Sequence, residues 1–105
     1  MKKIVGVTSC PAGLAHTYMA AESIERAAKK RGFEVKMETN GASGVENALT
    51  EQDIEEADAV VIAADAKVEM ERFRGKPLIE VSVGEAIRQA DKIMDKIANE
   101  ELEIY

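Results

Sequence analysis

Lys3-Ile4-Val5-Gly6-Val7-Thr8 runs without a break into Ser9-Cys10-Pro11-Ala12-Gly13-Leu14-Ala15-His16-Thr17, and the order of those two segments decides the fold. The first is an apolar run of strand length. The second is a tight loop of small residues, and a helical pattern begins at its end. Strand, small-residue loop and helix N-terminus in succession make an anion cradle, because loop and first-turn N–H groups have no acceptor within the helix. Cys10, the only cysteine in 105 residues, stands in that loop.

Outward from it, a helix is predicted over residues 14–31. Leu14, Tyr18, Ala21, Ile24 and Ala28 form its inward stripe, and Glu22/Arg26 and Glu25/Lys29 sit at i,i+4 outside. Lys29, Lys30 and Arg31 suit the C-terminal dipole, and Gly32 supplies the stop. Residues 33–38 alternate Phe33, Val35 and Met37 against Glu34, Lys36 and Glu38, the pattern of an edge strand with one wet face. Thr39-Asn40-Gly41-Ala42-Ser43-Gly44 reads as a turn-rich loop. A short helix starts at Thr50, with Asp53 completing a capping pair. Residues 59–64 are continuously apolar, as in a central strand covered on both faces. A fourth strand is predicted at 78–81, and a last helix from Ser82 to about residue 99 carries Val83, Ala86, Ile87, Ala90, Met94 and Ile97 inward.

Strands alternating with helices imply an α/β fold: an open four-stranded parallel sheet in the order 2-1-3-4, helices on both faces, Rossmann-like. Residues 1–105 are expected to form one domain. Ligands of such sheets bind beyond the carboxyl ends of the strands. Residues 9–17, 39–44 and 65–67 should converge there, with Cys10 at the centre.

Composition narrows the function. Hydrophobic residues make up 46% of the chain, with no Trp, two Tyr and two Phe, so the core must be aliphatic. One cysteine excludes an internal disulfide and a multi-cysteine zinc site, and no metal site is expected. A lone thiol suits a reducing compartment, hence the cytoplasm. A net charge of -6 argues against nucleic acid as a partner. The sequence contains no run long and apolar enough to span a bilayer and no signal-peptide pattern.

Each residue of the loop has a bland and a functional reading. Cys10 is either a buried inert hydrophobe or a nucleophile, and its place between a strand end and a small-residue turn favours the second. Several amides from Ala12 to Thr17 would outweigh the helix dipole. Hydrogen bonds to charged groups contribute about 1.5–3 kcal/mol each. The dipole contributes about 0.3–2 kcal/mol. Pro11 has no N–H and stiffens the turn; Gly13 permits close backbone approach. His16 either contacts the loop as a first-turn residue, or donates to a phosphoryl oxygen or modulates the thiolate. Thr17 donates to the anion or bonds within the first turn. Asp65 orients the loop as a second-shell residue or is a turn residue. The absence of GxGxxG and of a Walker lysine leaves nucleotide binding with weak support.

Cys10-Pro11-Ala12-Gly13-Leu14-Ala15-His16-Thr17 resembles the Cys-Pro-x-Gly-x-Ala-His-Thr loop of the fructose-specific IIB component of the bacterial sugar phosphotransferase system. The similarity continues through Tyr18-Met19-Ala20-Ala21-Glu22, residues 35–44, Ala63-Ala64-Asp65 and residues 69–76. It implies a cytoplasmic phosphoryl carrier, peripheral to the membrane. A IIA phosphohistidine would load Cys10, and the phosphocysteine would pass the group to a sugar, fructose, held by a membrane IIC partner. No cofactor is implied. Cys10 would be the catalytic carrier and Ala12, Gly13, Leu14, Ala15, His16 and Thr17 the phosphate-binding loop. For Asp65 and Arg72 the resemblance gives position without a role.

Two rivals stand beside it. A low-molecular-weight tyrosine phosphatase also places a cysteine after its first strand, in a Cys-x5-Arg-Ser/Thr loop whose Arg clamps phosphate. Here His16 occupies the Arg position, and the two prolines follow Cys10 and Lys76, so no Asp-Pro acid motif exists. A redox module would need a resolving cysteine, which the sequence lacks.

Overall fold

The computed structural model describes residues 2–10, 14–41 and 44–105, without the side chain of Leu14. The elements run β1 (Lys3–Ser9), α1 (Leu14–Lys30), β2 (Glu34–Gly41), β3 (Gly44–Glu46), α2 (Glu51–Glu56) and β4 (Ala59–Ala64). A 3-10 turn (Glu71–Phe73), β5 (Pro77–Val81), α3 (Val83–Arg88), α4 (Ala90–Ala98) and β6 (Glu103–Ile104) complete the order. Among the described residues the sheet has six strands in the order β3-β2-β1-β4-β5-β6. Its parallel centre, β2-β1-β4-β5, is the expected 2-1-3-4 arrangement.

The expected four strands become six because a short antiparallel strand is added at each edge, β3 on β2 and β6 on β5. Residues 39–44 are thus no simple turn: β2 continues to Gly41 and pairs back with β3, while Ala42 and Ser43 lie outside the described residues. Strands of three and two residues give too little pattern to read in sequence. With β3 beside it, β2 is not an edge.

Side chains alternate across the sheet into two apolar layers. Ile4, Met37 and Val61 face α1, α3 and α4; Val5, Val60 and Ile62 face Ile54 of α2 and Phe73. The predicted helices on both faces are present. Of the expected α1 stripe, Ala21, Ile24 and Ala28 are buried, with Thr17, Ala20 and Ala27 beside them, whereas Tyr18 is 39% exposed and the Leu14 side chain lies outside the described residues. Glu22 pairs with Arg26 at 2.6 Å, whereas Glu25–Lys29 forms no ion pair among the described residues.

Helix ends follow the local chemistry. Gly32, at φ +76°, closes α1: Phe33 N–H donates to the Ala28 carbonyl and Gly32 N–H to that of Lys29, the Schellman pattern. Thr50 and Asp53 form the predicted reciprocal box on α2. The single last helix is interrupted instead at Gln89 (φ −126°, ψ 30°), which ends α3 and begins α4. The break lets Val83 and Ala86 on one segment, and Ile93, Met94 and Ile97 on the next, join the same core.

Gly6 sits where β1 is pressed closest. A Cβ there would lie 2.7 Å from the Val61 carbonyl oxygen and from the Met37 thioether. Met37 can move; the backbone oxygen in the paired strand cannot. Gly6→Ala is expected to destabilise the protein by about 1–3 kcal/mol in urea unfolding, and an unchanged midpoint would contradict this packing.

Candidate functional site

The register brings the expected segments together. Ser9, last residue of β1, lies opposite Asn40 of β2 and Ala64 of β4. All three strands are parallel, so Cys10 and Asp65 leave the sheet at the same edge, beside Gly41 at the end of β2. Val7 and Thr8 are at 0% exposure, Ser9 at 7% and Cys10 at 8%, all buried. Cys10 is a free, buried thiol that packs in the apolar layer beneath α1.

Asp65 N–H donates to the Ser9 carbonyl at 2.9 Å, and the Asp65 carboxylate accepts from Val83 N–H at 3.3 Å. It therefore ties the ends of β1 and β4 to the start of α3, where Ser82 accepts from Glu85 N–H.

Of the predicted loop, Ala12 and Gly13 lie outside the described residues, as does the side chain of Leu14. Ala15 and His16 are exposed on the first turn of α1, and Thr17 is fully buried. The Thr17 carbonyl accepts from the Thr8 hydroxyl at 3.1 Å. A 17-residue helix starting at Leu14 presents its first-turn amides toward the end where Cys10 emerges.

Beside this edge the structure holds a group that pattern reading misplaced. Glu38, expected on a wet face, is 3% exposed. Its carboxylate accepts two bonds from the Arg72 guanidinium, at 2.9 and 2.7 Å, one from Leu49 N–H at 2.9 Å and one from Asn40 at 3.3 Å. Burial alone would push the Glu38 carboxyl up, but the bonds and charge of Arg72, with the Leu49 amide and Asn40, hold it below the ordinary value. The bond to Glu38 likewise raises Arg72, against burial. Arg72 also lies over the Phe73 ring, 4.8 Å from its centroid, while its Nε is buried without a partner. Arg72 is committed to Glu38, and His16 occupies the position of a phosphatase clamp.

On the opposite flank, the Tyr18 hydroxyl donates to Glu46, linking α1 to β3 and raising the phenol's pKa. No group of three His, Cys, Asp or Glu that could hold a metal ion occurs among the described residues.

Comparison with known proteins agrees with this geometry. The family described as "PTS system, Lactose/Cellobiose specific IIB subunit" matches residues 5–96. The chain is 51% identical over 98 residues to the "PTS system fructose-like EIIB component 2" of Escherichia coli K12, covering 92% of each. It is 48% identical over 103 residues to the "PTS system fructose-specific EIIABC component" of Bacillus subtilis, covering 98% of this chain and 16% of that protein. A crystal structure of a domain of the fructose-specific IIABC component of Borrelia burgdorferi superposes with a TM-score of 0.93 at 43% identity, covering 99% of this chain and 98% of that one. These similarities give the phosphatase reading no support. With its site at the carboxyl edge of a parallel sheet and relatives of this kind along nearly its whole length, the chain belongs to the IIB family of the phosphotransferase system, and within it to the fructose type.

Proposed function

We propose that this chain is a phosphoryl carrier in which Cys10 accepts the group from a phosphohistidine of a IIA partner and passes it to a sugar bound by a membrane IIC partner, with fructose as the sugar. In the loading step the Cys10 thiolate forms the S–P bond as the P–N bond to the donor imidazole breaks. In the unloading step a sugar hydroxyl oxygen forms the O–P bond as the S–P bond breaks, the thiolate leaves, and the hydroxyl proton passes to a base of the IIC partner or to water. A thiolate is both a good nucleophile and a good leaving group, which suits a site that must load and unload. Donors aimed at the equatorial oxygens stabilise the charge that develops in both steps.

The observation that carries this reading is the position of Cys10, one residue past the central strand and four before α1. We assign Ala12, Gly13, Leu14, Ala15, His16 and Thr17 to the phosphate-binding loop and Asp65 to holding its base. Residues 1–105 act as one IIB unit. No described helix is long and apolar enough to cross a membrane, so on this reading the chain works from the cytoplasmic side and meets the membrane through IIC.

The test is reconstitution. Vesicles bearing the IIC partner, supplied with phosphorylated IIA and fructose, are expected to form sugar phosphate only when this chain is added. Sugar phosphate formed equally without it, or steady release of inorganic phosphate from an aryl phosphate ester by this chain, would contradict the carrier role.

A further inference from the structure

Thr8 is the one hydroxyl in β1 before Ser9, set in an otherwise apolar run. It is 0% exposed, between Val7 and the two flanking strands, where it pairs with Thr39 and Ala63. A valine would serve the strand and the core equally well. A buried hydroxyl is costly to desolvate unless it is bonded, and here it donates to the Thr17 carbonyl at 3.1 Å. That bond spans nine residues and joins the strand leading into Cys10 to the first turn of the helix leading out. At the other side, Asp65 N–H holds the Ser9 carbonyl. The two bonds bracket the segment that carries the thiol.

We propose that Thr8 is a positioning residue for phosphoryl transfer at Cys10: its hydroxyl fixes the first turn of α1 against β1, and so fixes the first-turn amides relative to the sulfur. This rests on the carrier reading above. Thr8 is fully buried and acts through Thr17, without touching the donor. Transfer between sulfur and nitrogen depends on in-line placement of phosphorus, and a displacement of about 1 Å costs about a hundredfold in rate. Releasing one tether should therefore cost rate and leave partner docking alone.

The experiment compares wild type, Thr8→Val and Thr8→Ser in single-turnover phosphorylation by the phosphorylated IIA partner. Thr8→Val keeps shape and β-branching and removes the donor; Thr8→Ser restores it. Thr8→Val is expected to lower the rate at saturating donor by about tenfold or more, with the half-saturating donor concentration unchanged. Thr8→Ser is expected to remain within about twofold of wild type. If Thr8→Val does not fold, Thr8→Ala carries the same expectation. A Thr8→Val rate equal to wild type, or a Thr8→Ser rate as low as Thr8→Val, overturns the inference. A wild-type chain that takes up no phosphoryl group overturns the carrier reading instead.

Discussion

Cys10→Ser is expected to lose phosphoryl relay to sugar by at least about a thousandfold while the protein stays folded. A serine hydroxyl at neutral pH is a far weaker nucleophile than a thiolate. Any phosphoserine formed would be an oxygen ester with a poorer leaving group, so unloading fails even where loading occurs. The structural cost is small, because the substitution conserves size at a buried position. Stability should change by about 1 kcal/mol, the ordinary scale for a point mutant. Relay by Cys10→Ser at a rate near wild type would contradict the assignment of the carrier.

Arg72→Ala is expected to produce the largest loss of stability, about 3–5 kcal/mol near neutral pH in urea unfolding, because it strands Glu38 as a buried unpaired carboxylate. The pH dependence follows from the direction of the shift. In wild type the Glu38 carboxyl is held below its ordinary value near 4.5, so its contribution is complete above that value and is lost as pH falls below it. Without Arg72, burial is opposed only by the Leu49 amide and Asn40, and the carboxyl moves upward. The stability gap between wild type and Arg72→Ala should therefore be wider at pH 7 than at pH 4. Replacing both partners, Glu38→Met with Arg72→Met, should recover much of the loss, since an apolar pair leaves no orphaned charge. A single-variant cost below about 1 kcal/mol would place the pair with ordinary surface bridges.

The parallel centre of the sheet was legible because its signals are local and strong. The apolar runs of β1 and β4, the Gly32 stop and the Thr50–Asp53 cap each depend on neighbours in sequence, and each appears where those neighbours put it. What escaped depends on distant partners. Glu38 reads as solvated until Arg72, 34 residues away, and the Leu49 amide are seen to bond its carboxylate. Tyr18 reads as inward until Glu46 draws its hydroxyl across to β3. Gln89 is an ordinary helix former, and only the requirement that α3 and α4 both meet the sheet reveals the break. The meeting of Cys10 and Asp65 at one edge was legible from position, because strand ends in a parallel sheet converge. Thr8 had a visible signal, a hydroxyl inside an apolar run, but its meaning required the carbonyl it reaches.

The central claim is that one sulfur carries the phosphoryl group. Its most direct test is intact mass after exposure to the phosphorylated IIA partner, followed by peptide mapping near neutral pH, where the S–P bond survives. A single added phosphoryl group, assigned by fragmentation to Cys10, is expected. A group assigned to His16 or any other residue, or no added mass from a competent donor, would contradict it.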